Sequence, residues 1–398
     1  MSRAPDPQRW RWFVLAVFVL SSAINFLDRL TLATVAPRIR DEFHLSGAEY
    51  GMIVAAFQIT YAVSAPFAGM WIDRVGLNRA ASIAVGLWSC AGISTGFTRG
   101  LAGLVACRSA LGIPEAAGIP AAGKAIYQYL RPAERALGHA LNQGGVSLGM
   151  VLAPPLATSL ALQWGWRSAF VVTGLLGLAW IPAWNLVARR ASAAPVPKPA
   201  AGSGAEMLRD PRLWAFVAAN AVSMVGYTLW SNWTTLYLVD VQRLSFRDAA
   251  SYAWIPPVFA AVGGLAGGWL SKRLVDRGVA PPAARLRICV AAAALAVAGA
   301  AIPAAPSAAW ASAGISLSFF AILAFSVNMY ALPLDVFGGA RAAFAVSMLT
   351  ASVGAISAVV APPIGYTIDR WGYAPAIVAA SLMPLAAAAI LWSTRSAR

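Results

Sequence analysis

The sequence predicts an all-α membrane protein with twelve transmembrane helices in two pseudo-symmetric six-helix bundles. Three observations lead there. Of 398 residues, 59% are hydrophobic and only 11% are charged. A soluble globular domain carries about 25% charged residues, so this chain cannot cover a water-facing surface of its size. Apolar runs of the length that spans a bilayer, about 20 residues, recur along the whole chain, and a polar stretch near its middle divides them evenly. The same composition excludes intrinsic disorder, a collagen repeat and a disulfide scaffold.

Taken in order, the chain opens on a basic segment, MSRAPDPQRWRW, followed by an apolar run longer than a signal-peptide core. Many such runs follow, so the first is read as a retained spanning helix. Twelve runs are centred on residues 12–35, 50–71, 80–98, 101–125, 137–161, 168–188, 213–238, 249–272, 285–305, 308–330, 342–364 and 374–393. Polar or charged residues interrupt the first, fourth and seventh. Residues 189–212 contain RRASAAPVPKPAAGSGAE, rich in Pro, Ala, Gly and Ser and without apolar periodicity, which is linker composition. The expected organisation is therefore a six-helix bundle over 1–188, a cytoplasmic linker over 189–212 and a second six-helix bundle over 213–398. Cys90, Cys107 and Cys289 fall in or beside apolar runs. Their odd number and spacing argue against a disulfide framework or a zinc site and suit small apolar packers.

The net charge is +15. In a soluble protein this would point to nucleic acid, but here the better reading is basic residues gathered on the cytoplasmic side of a membrane. With the N-terminus inside, 21 of the 30 Lys and Arg residues fall on inside segments, 7 fall outside, and Arg29 and Arg108 lie within helices. That bias expects both termini in the cytoplasm, a multi-pass location in the cell inner (plasma) membrane, and no nucleic-acid partner.

After the second helix comes Gly69-Met-Trp-Ile-Asp73-Arg74-Val-Gly76-Leu-Asn-Arg79, and after the eighth comes Gly268-Trp-Leu-Ser-Lys272-Arg273-Leu-Val-Asp276-Arg277-Gly278. The two occupy equivalent places in the two halves. Each sets a small residue at a helix end, then an acid and basic residues at the membrane surface. The expected role is a clasp of charge and helix dipole that holds one gate conformation. The plainer alternative is ordinary positive-inside loop chemistry.

Four charges stand where lipid should exclude them: Asp28 and Arg29 in the first run, Arg108 and Glu115 in the fourth. Each would cost roughly 2.5–3.5 kcal/mol at the bilayer centre, so they are expected to face a polar pathway. Arg108 and Glu115 are seven residues apart and share one helix face. Gly112, Pro114, Gly118 and Pro120 surround them, and such interruption of a spanning helix points to a binding site. A carboxylate taken out of water favours its neutral form, whereas a neighbouring Arg favours the anion. An anionic substrate that claims the Arg therefore lets the carboxylate take a proton, which is a mechanism for proton–anion symport. Arg29 is assigned as the substrate anchor, Glu115 and Asp28 as proton carriers, and Arg108 as the residue that tunes Glu115. Structural ion pairing is the alternative for all four.

Tyr61, Asn142, Gln143, Asn232, Ser326, Asn328, Ser347, Thr350 and Ser352 also lie in the runs. Tyr61, Asn232, Asn328 and Ser352 are the candidates for substrate contact, although such a residue taken alone is more often an interhelical hydrogen bond. Trp230, Trp233 and Trp254 suit either a cavity wall or the interfacial belt. His44 and His139, near helix ends, receive no role.

Gly69 to Arg79 resembles the loop signature of the major facilitator superfamily, G-x-x-x-D-R-x-G-x-x-R, and the two halves with their linker match its plan. Asn25-Phe-Leu-Asp28-Arg29-Leu-Thr-Leu, Pro37-Arg-Ile and Glu42-Phe-His-Leu-Ser resemble the first helix and loop of its anion:cation symporter family. Arg108-x6-Glu115-Ala-Ala-Gly-Ile-Pro120-Ala-Ala-Gly-Lys124, Glu134-Arg135, Ser147-Leu-Gly-Met-Val-Leu-Ala-Pro-Pro155 and Gly165-Trp166-Arg167 continue the likeness. Leu332-Pro-Leu-Asp335-Val-Phe337 and Gly365-Tyr-Thr-Ile-Asp369-Arg-Trp-Gly372 look like the hexuronate transporter branch. The resemblance implies proton-coupled uptake of an organic carboxylate such as a hexuronate or other sugar acid by alternating access. It also implies a carboxylate-binding Arg29, proton roles for Asp28 and Glu115, and a substrate-facing Tyr61. Two departures matter. Val146 stands where sugar-acid relatives often carry a polar residue, and Trp254-Ile-Pro-Pro-Val-Phe-Ala-Ala offers little to hydroxyls.

A less hydroxylated mono- or dicarboxylate is accordingly the alternative substrate. A drug or cation efflux antiporter fits worse, because such proteins typically carry Gly-Pro and paired Gly in the fifth helix. This chain has Gly149 and then Ala153-Pro154-Pro155. No nucleophile triad, metal cluster or phosphate loop is legible, so the expectation is a monomeric transporter without catalytic residues, metal or cofactor. Its partners are a small organic anion, the proton as coupling ion, and the bilayer.

Overall fold

The computed structural model describes residues 7–131, 134–189, 207–337 and 339–393. All regular structure among them is helical. The first half holds α1 (Pro7–Phe43), α2 (Gly47–Val75), α3 (Leu77–Thr95), α4 (Leu101–Glu115), α5 (Gly118–Tyr129), α6 (Arg135–Trp164) and α7 (Trp166–Ala188). The second half holds α8 (Pro211–Ser223), α9 (Val225–Asp240), α10 (Phe246–Ala253), α11 (Ile255–Asp276), α12 (Pro281–Ala296), a 3-10 turn (Val297–Ala304), α13 (Ala308–Phe337), α14 (Gly339–Trp371) and α15 (Tyr373–Ser393). Ten segments among the described residues are long and apolar enough to cross a membrane. The 19-residue α3 and the broken pair α4–α5 supply the two further passes that the sequence expects. Most of the expected linker, 190–206, lies outside the described residues.

Local chemistry sets the boundaries. α1 stops at His44, which is left-handed (φ 51), and the Leu45 N–H returns to the Arg40 carbonyl at 3.1 Å, a helix-ending pattern that satisfies a late carbonyl. α2 starts on a capping box: the Ser46 N–H donates to Glu49 Oε2 at 2.8 Å and the Glu49 N–H to Ser46 Oγ at 3.2 Å, so two open amides are satisfied reciprocally. Gly76 (φ 86) and Gly165 (φ 82) turn α2 into α3 and α6 into α7, a backbone region that a side chain would strain. Asp210 caps α8 through the Arg212 N–H at 2.8 Å, with Pro211 in the first turn, where the missing N–H costs nothing.

The chain divides into two compact units, one of residues 1–35 and 59–199, the other of 36–58 and 200–398. The sequence expects one boundary, in the linker. The structure in addition groups the end of α1 and the start of α2 with the second unit.

Within the bilayer there is no hydrophobic force between helices, so close backbone approach at small residues does the packing. In the first unit, a Cβ on Gly145 would meet Val19 and one on Gly149 would overlap the Ala23 carbonyl, so α6 lies directly on α1. Gly174 and Gly177 similarly seat α7 on Ser89 and Ile93 of α3. Trp180 stacks on Trp184 at 5.4 Å and donates its indole N–H to the Val17 carbonyl at 2.6 Å. In the second unit, Gly263 and Gly267 of α11 lie on Phe320 and Ala324 of α13.

Candidate functional site

The site is built in the first unit around a break in a helix. Pro114 leaves the Ala110 carbonyl without its helical donor, and α4 ends one residue later at Glu115. The Ala116 N–H donates to the Gly112 carbonyl at 3.3 Å and the Ala117 N–H to Pro114 at 3.1 Å before α5 begins at Gly118. Glu115 thus stands at a helix end in the interior of the protein.

Glu115 is fully buried, and its Oε2 accepts from Arg29 Nε of α1 at 2.6 Å. The Arg29 side chain is 22% exposed. Its guanidinium carbon lies 4.5 Å from the Tyr61 ring centre of α2 and 5.0 Å from that of Phe26, favourable cation–π distances. One end of Arg29 is therefore tied to a carboxylate while part of it stays accessible. Buried Asn25 of α1 is the other polar side chain beside Glu115.

Asp28 is 3% exposed, in the interior of the first unit. Thr173 of α7, Glu115 and Arg108 lie close enough to act on its charge. Arg108 is buried with its guanidinium carbon 5.8 Å from the Phe170 ring centre, and it acts on Glu115 as well. All four unexpected charges therefore converge. The sequence matched Glu115 with Arg108 through their shared helix face. In the structure the direct bond to Glu115 comes from Arg29, with Arg108 acting through space.

The G-x-x-x-D-R-x-G motif closes α2. Asp73 Oδ1 accepts from Lys124 Nζ of α5 at 2.6 Å, and the same ammonium reaches the Ile72 carbonyl at 3.2 Å. Lys124 thus binds the acid of the motif and a terminal carbonyl of its helix together, a cation in the position the helix dipole favours. Arg74 and Arg79 are exposed, Gly76 makes the turn, and a Cβ on Gly69 would meet nothing within 4 Å. In the second-half copy, Lys272 Nζ meets Asp276 Oδ2 at 2.5 Å and Gly278 is left-handed at φ 87.

The second-unit candidates are engaged with their neighbours. Asn328 donates to the Gly267 and Ala324 carbonyls at 3.1 and 2.9 Å. Asn232 donates to the Thr228 carbonyl at 2.9 Å, and its own carbonyl accepts from Tyr50 at 2.9 Å. Ser352 donates to the Leu349 carbonyl at 2.7 Å and accepts from Asn220 at 3.1 Å. It borders a groove of about 400 Å³ whose other lining residues, among them Met348 and Ile356, are apolar. Asn220 is a fully buried polar residue that the sequence reading passed over. An isolated Asn in an apolar run gives no sign of its partner 132 residues away.

Comparison with known proteins puts this arrangement in context. The chain is 26% identical to the hexuronate transporter of Escherichia coli (strain K12) over 96% of this chain and 93% of that one. It is 26% identical to the galacturonate transporter of Dickeya chrysanthemi, over 65% and 81% of the two chains. It is 27% identical to a probable sulfoacetate transporter of Cupriavidus necator, over 96% and 93%. Its fold is similar to the crystal structure of a bacterial homologue of the human lysosomal transporter Spinster, with a TM-score of 0.80, 22% identity and 97% of each chain covered. The model of the Major Facilitator Superfamily matches residues 18–356, and this chain belongs to that family of multi-pass membrane transporters.

Proposed function

We propose that this transporter imports an organic carboxylate, of the sugar-acid class that includes hexuronates, by proton-coupled symport with alternating access. The carrying observation is the Arg29–Glu115 bond at 2.6 Å between an arginine whose side chain is mostly buried and a fully buried carboxylate. A substrate carboxylate and Glu115 compete for the same guanidinium, which suits planar carboxylate recognition. Protonation of Glu115 releases Arg29 to the substrate, and Asp28, buried one residue before Arg29, is the second proton carrier. Arg108 is the residue that tunes Glu115, and Tyr61 lines the approach to Arg29. The relatives named for hexuronate and galacturonate support the substrate class. Asn232, Asn328 and Ser352 are the proposed second-unit contacts, both termini lie in the cytoplasm, the membrane is the inner (plasma) membrane, and the working unit is a monomer.

A less hydroxylated anion is the second reading. The observation that favours it is that Asn328, Asn232 and Ser352 already bond to protein groups, so few polar groups remain for sugar hydroxyls. The relative named for sulfoacetate accords with it.

The test is uptake into proteoliposomes under an imposed inward proton gradient, against a panel of hexuronates, aldonates and short carboxylates and sulfonates. Gradient-dependent accumulation of a sugar acid supports the first reading, and accumulation of short anions alone the second. Counterflow of a cation with no anion accumulated would remove both.

A further inference from the structure

The second-half copy of the loop motif uses its acid differently from the first. Asp73 binds Lys124 on another helix, whereas Asp276 binds Lys272, four residues earlier on its own helix. Residues 272–287, which end α11 and begin α12, include five basic residues: Lys272, Arg273, Arg277, Arg285 and Arg287. Two of these are matched. Lys272 has Asp276, and Arg285 has Asp335 of α13 at 3.4 Å, with a further bond to Ser271 Oγ at 2.7 Å. Arg273, Arg277 and Arg287 are exposed, and among the described residues none of the three is in an ion pair.

The other face of α11 shows where this charge sits. Ala260, Gly263, Gly267 and Ser271 are buried, and the two glycines lie on α13. At about 3.6 residues per turn, the opposite face holds Val262, Leu265, Trp269, Arg273 and Arg277. Leu265 is 75% exposed and Trp269 56%. Large apolar side chains laid bare along a spanning helix face hydrocarbon. An indole marks the level at which hydrocarbon gives way to headgroups, and the Arg273 guanidinium carbon lies 5.1 Å from the Trp269 ring centre. Trp269, Arg273 and Arg277 follow one another at four-residue steps, each about 6 Å further along the axis. From the membrane interior outward, this face therefore presents apolar side chains, an indole, and two arginines that no acid of the protein neutralises.

The occupant that fits this order is an anionic glycerophospholipid. Its acyl chain runs along Val262 and Leu265, its glycerol lies beside Trp269, and its phosphodiester meets Arg273 and Arg277. The planar guanidinium fork suits two phosphate oxygens. A zwitterionic lipid brings a cation of its own to two uncompensated arginines and is disfavoured. A soluble phosphate gains nothing from the apolar stripe or the indole.

We infer that the face of α11 from Val262 to Arg277 is a binding site for an anionic phospholipid, with Arg273 and Arg277 as its phosphate ligands and Trp269 as its platform. The test is native mass spectrometry of the full chain, delipidated in detergent and titrated with phosphatidylglycerol or phosphatidylethanolamine. Three proteins are compared: wild type, Arg273→Gln with Arg277→Gln, and Arg74→Gln with Arg79→Gln. The last removes the same charge from the first-half motif, and so separates a built site from the general attraction of basic loops. Wild type should take up phosphatidylglycerol in preference to phosphatidylethanolamine. A basic residue at the membrane surface contributes about fivefold to anionic-lipid binding, so the α11 variant should bind phosphatidylglycerol about thirtyfold more weakly and phosphatidylethanolamine as before. The Arg74/Arg79 variant should keep wild-type affinity. Equal loss in both variants, no loss in the α11 variant, or no wild-type preference for phosphatidylglycerol would overturn the site. Displacement of the lipid by equimolar glycerol phosphate would also overturn it, in favour of a free-phosphate site. The readout needs neither substrate nor proton gradient, so failure of the sugar-acid reading leaves this result standing.

Discussion

Glu115→Gln keeps the shape of the group bonded to Arg29 and removes its charge. In the wild type, an incoming anion must displace a carboxylate held at 2.6 Å and fully buried. A charge-assisted hydrogen bond contributes about 1.5–3 kcal/mol and a neutral one about 0.5–1.5. The difference, about 1 kcal/mol, no longer opposes the substrate in the variant, which is therefore expected to bind anion about fivefold more tightly at neutral pH. The pH dependence changes too. Wild-type affinity falls as pH rises, because the proton on Glu115 is what frees Arg29, whereas the variant keeps a neutral partner throughout and loses that slope. Calorimetric titration of purified protein at pH 6 and pH 8 measures both effects. Counterflow should persist in the variant while proton-driven accumulation disappears. Weaker binding than wild type, an unchanged pH slope, or intact accumulation would each refute the competition between Glu115 and substrate.

Arg29→Lys retains the charge but loses the planar fork and the contacts over Tyr61 and Phe26; anion affinity should fall by on the order of 100-fold, and calorimetry showing less than a tenfold loss would argue against carboxylate recognition at this side chain. Asn328→Ala removes two bonds to buried carbonyls and should lower stability by about 2 kcal/mol in thermal unfolding. A fall in substrate affinity beside that loss supports the proposed contact, whereas unchanged affinity would make Asn328 a helix tie alone. Gly149→Leu forces a side chain against the Ala23 backbone and should cost about 1–3 kcal/mol; an unchanged melting temperature would mean that the α1–α6 seam opens freely.

The helix plan was legible because hydrocarbon thickness imposes a run length that composition alone reveals. The break at Glu115 was legible for a similar reason, since Pro114 and the nearby glycines act locally on the backbone. The convergence of Asp28, Arg29, Arg108 and Glu115 was also readable, because charges in lipid have nowhere else to go. Their pairing was not. Helical spacing couples Arg108 to Glu115, whereas the bond that forms joins residues 86 apart in the chain, and nothing periodic encodes that. Lys124 illustrates the same limit: it reads as one more positive-inside residue until α5 brings it to Asp73. The bond of Arg40 to Asp240 joins residues 200 apart, and no local pattern announces it. Polar side chains such as Asn220 and Asn328 look alike in sequence whether they meet a substrate or a neighbouring carbonyl.

The Arg29–Glu115 bond has an electrical consequence. Moving one elementary charge through the membrane potential involves about 2.3 kcal/mol per 100 mV. A guanidinium and a carboxylate held 2.6 Å apart move as a dipole with no net charge, so in the proposed cycle this pair contributes nothing to the voltage sensitivity of the empty carrier's return. Once a substrate anion replaces a neutralised Glu115, the loaded pair is again balanced. The driving force of the potential is then left to whatever additional proton travels with them, and the current per substrate counts that proton directly.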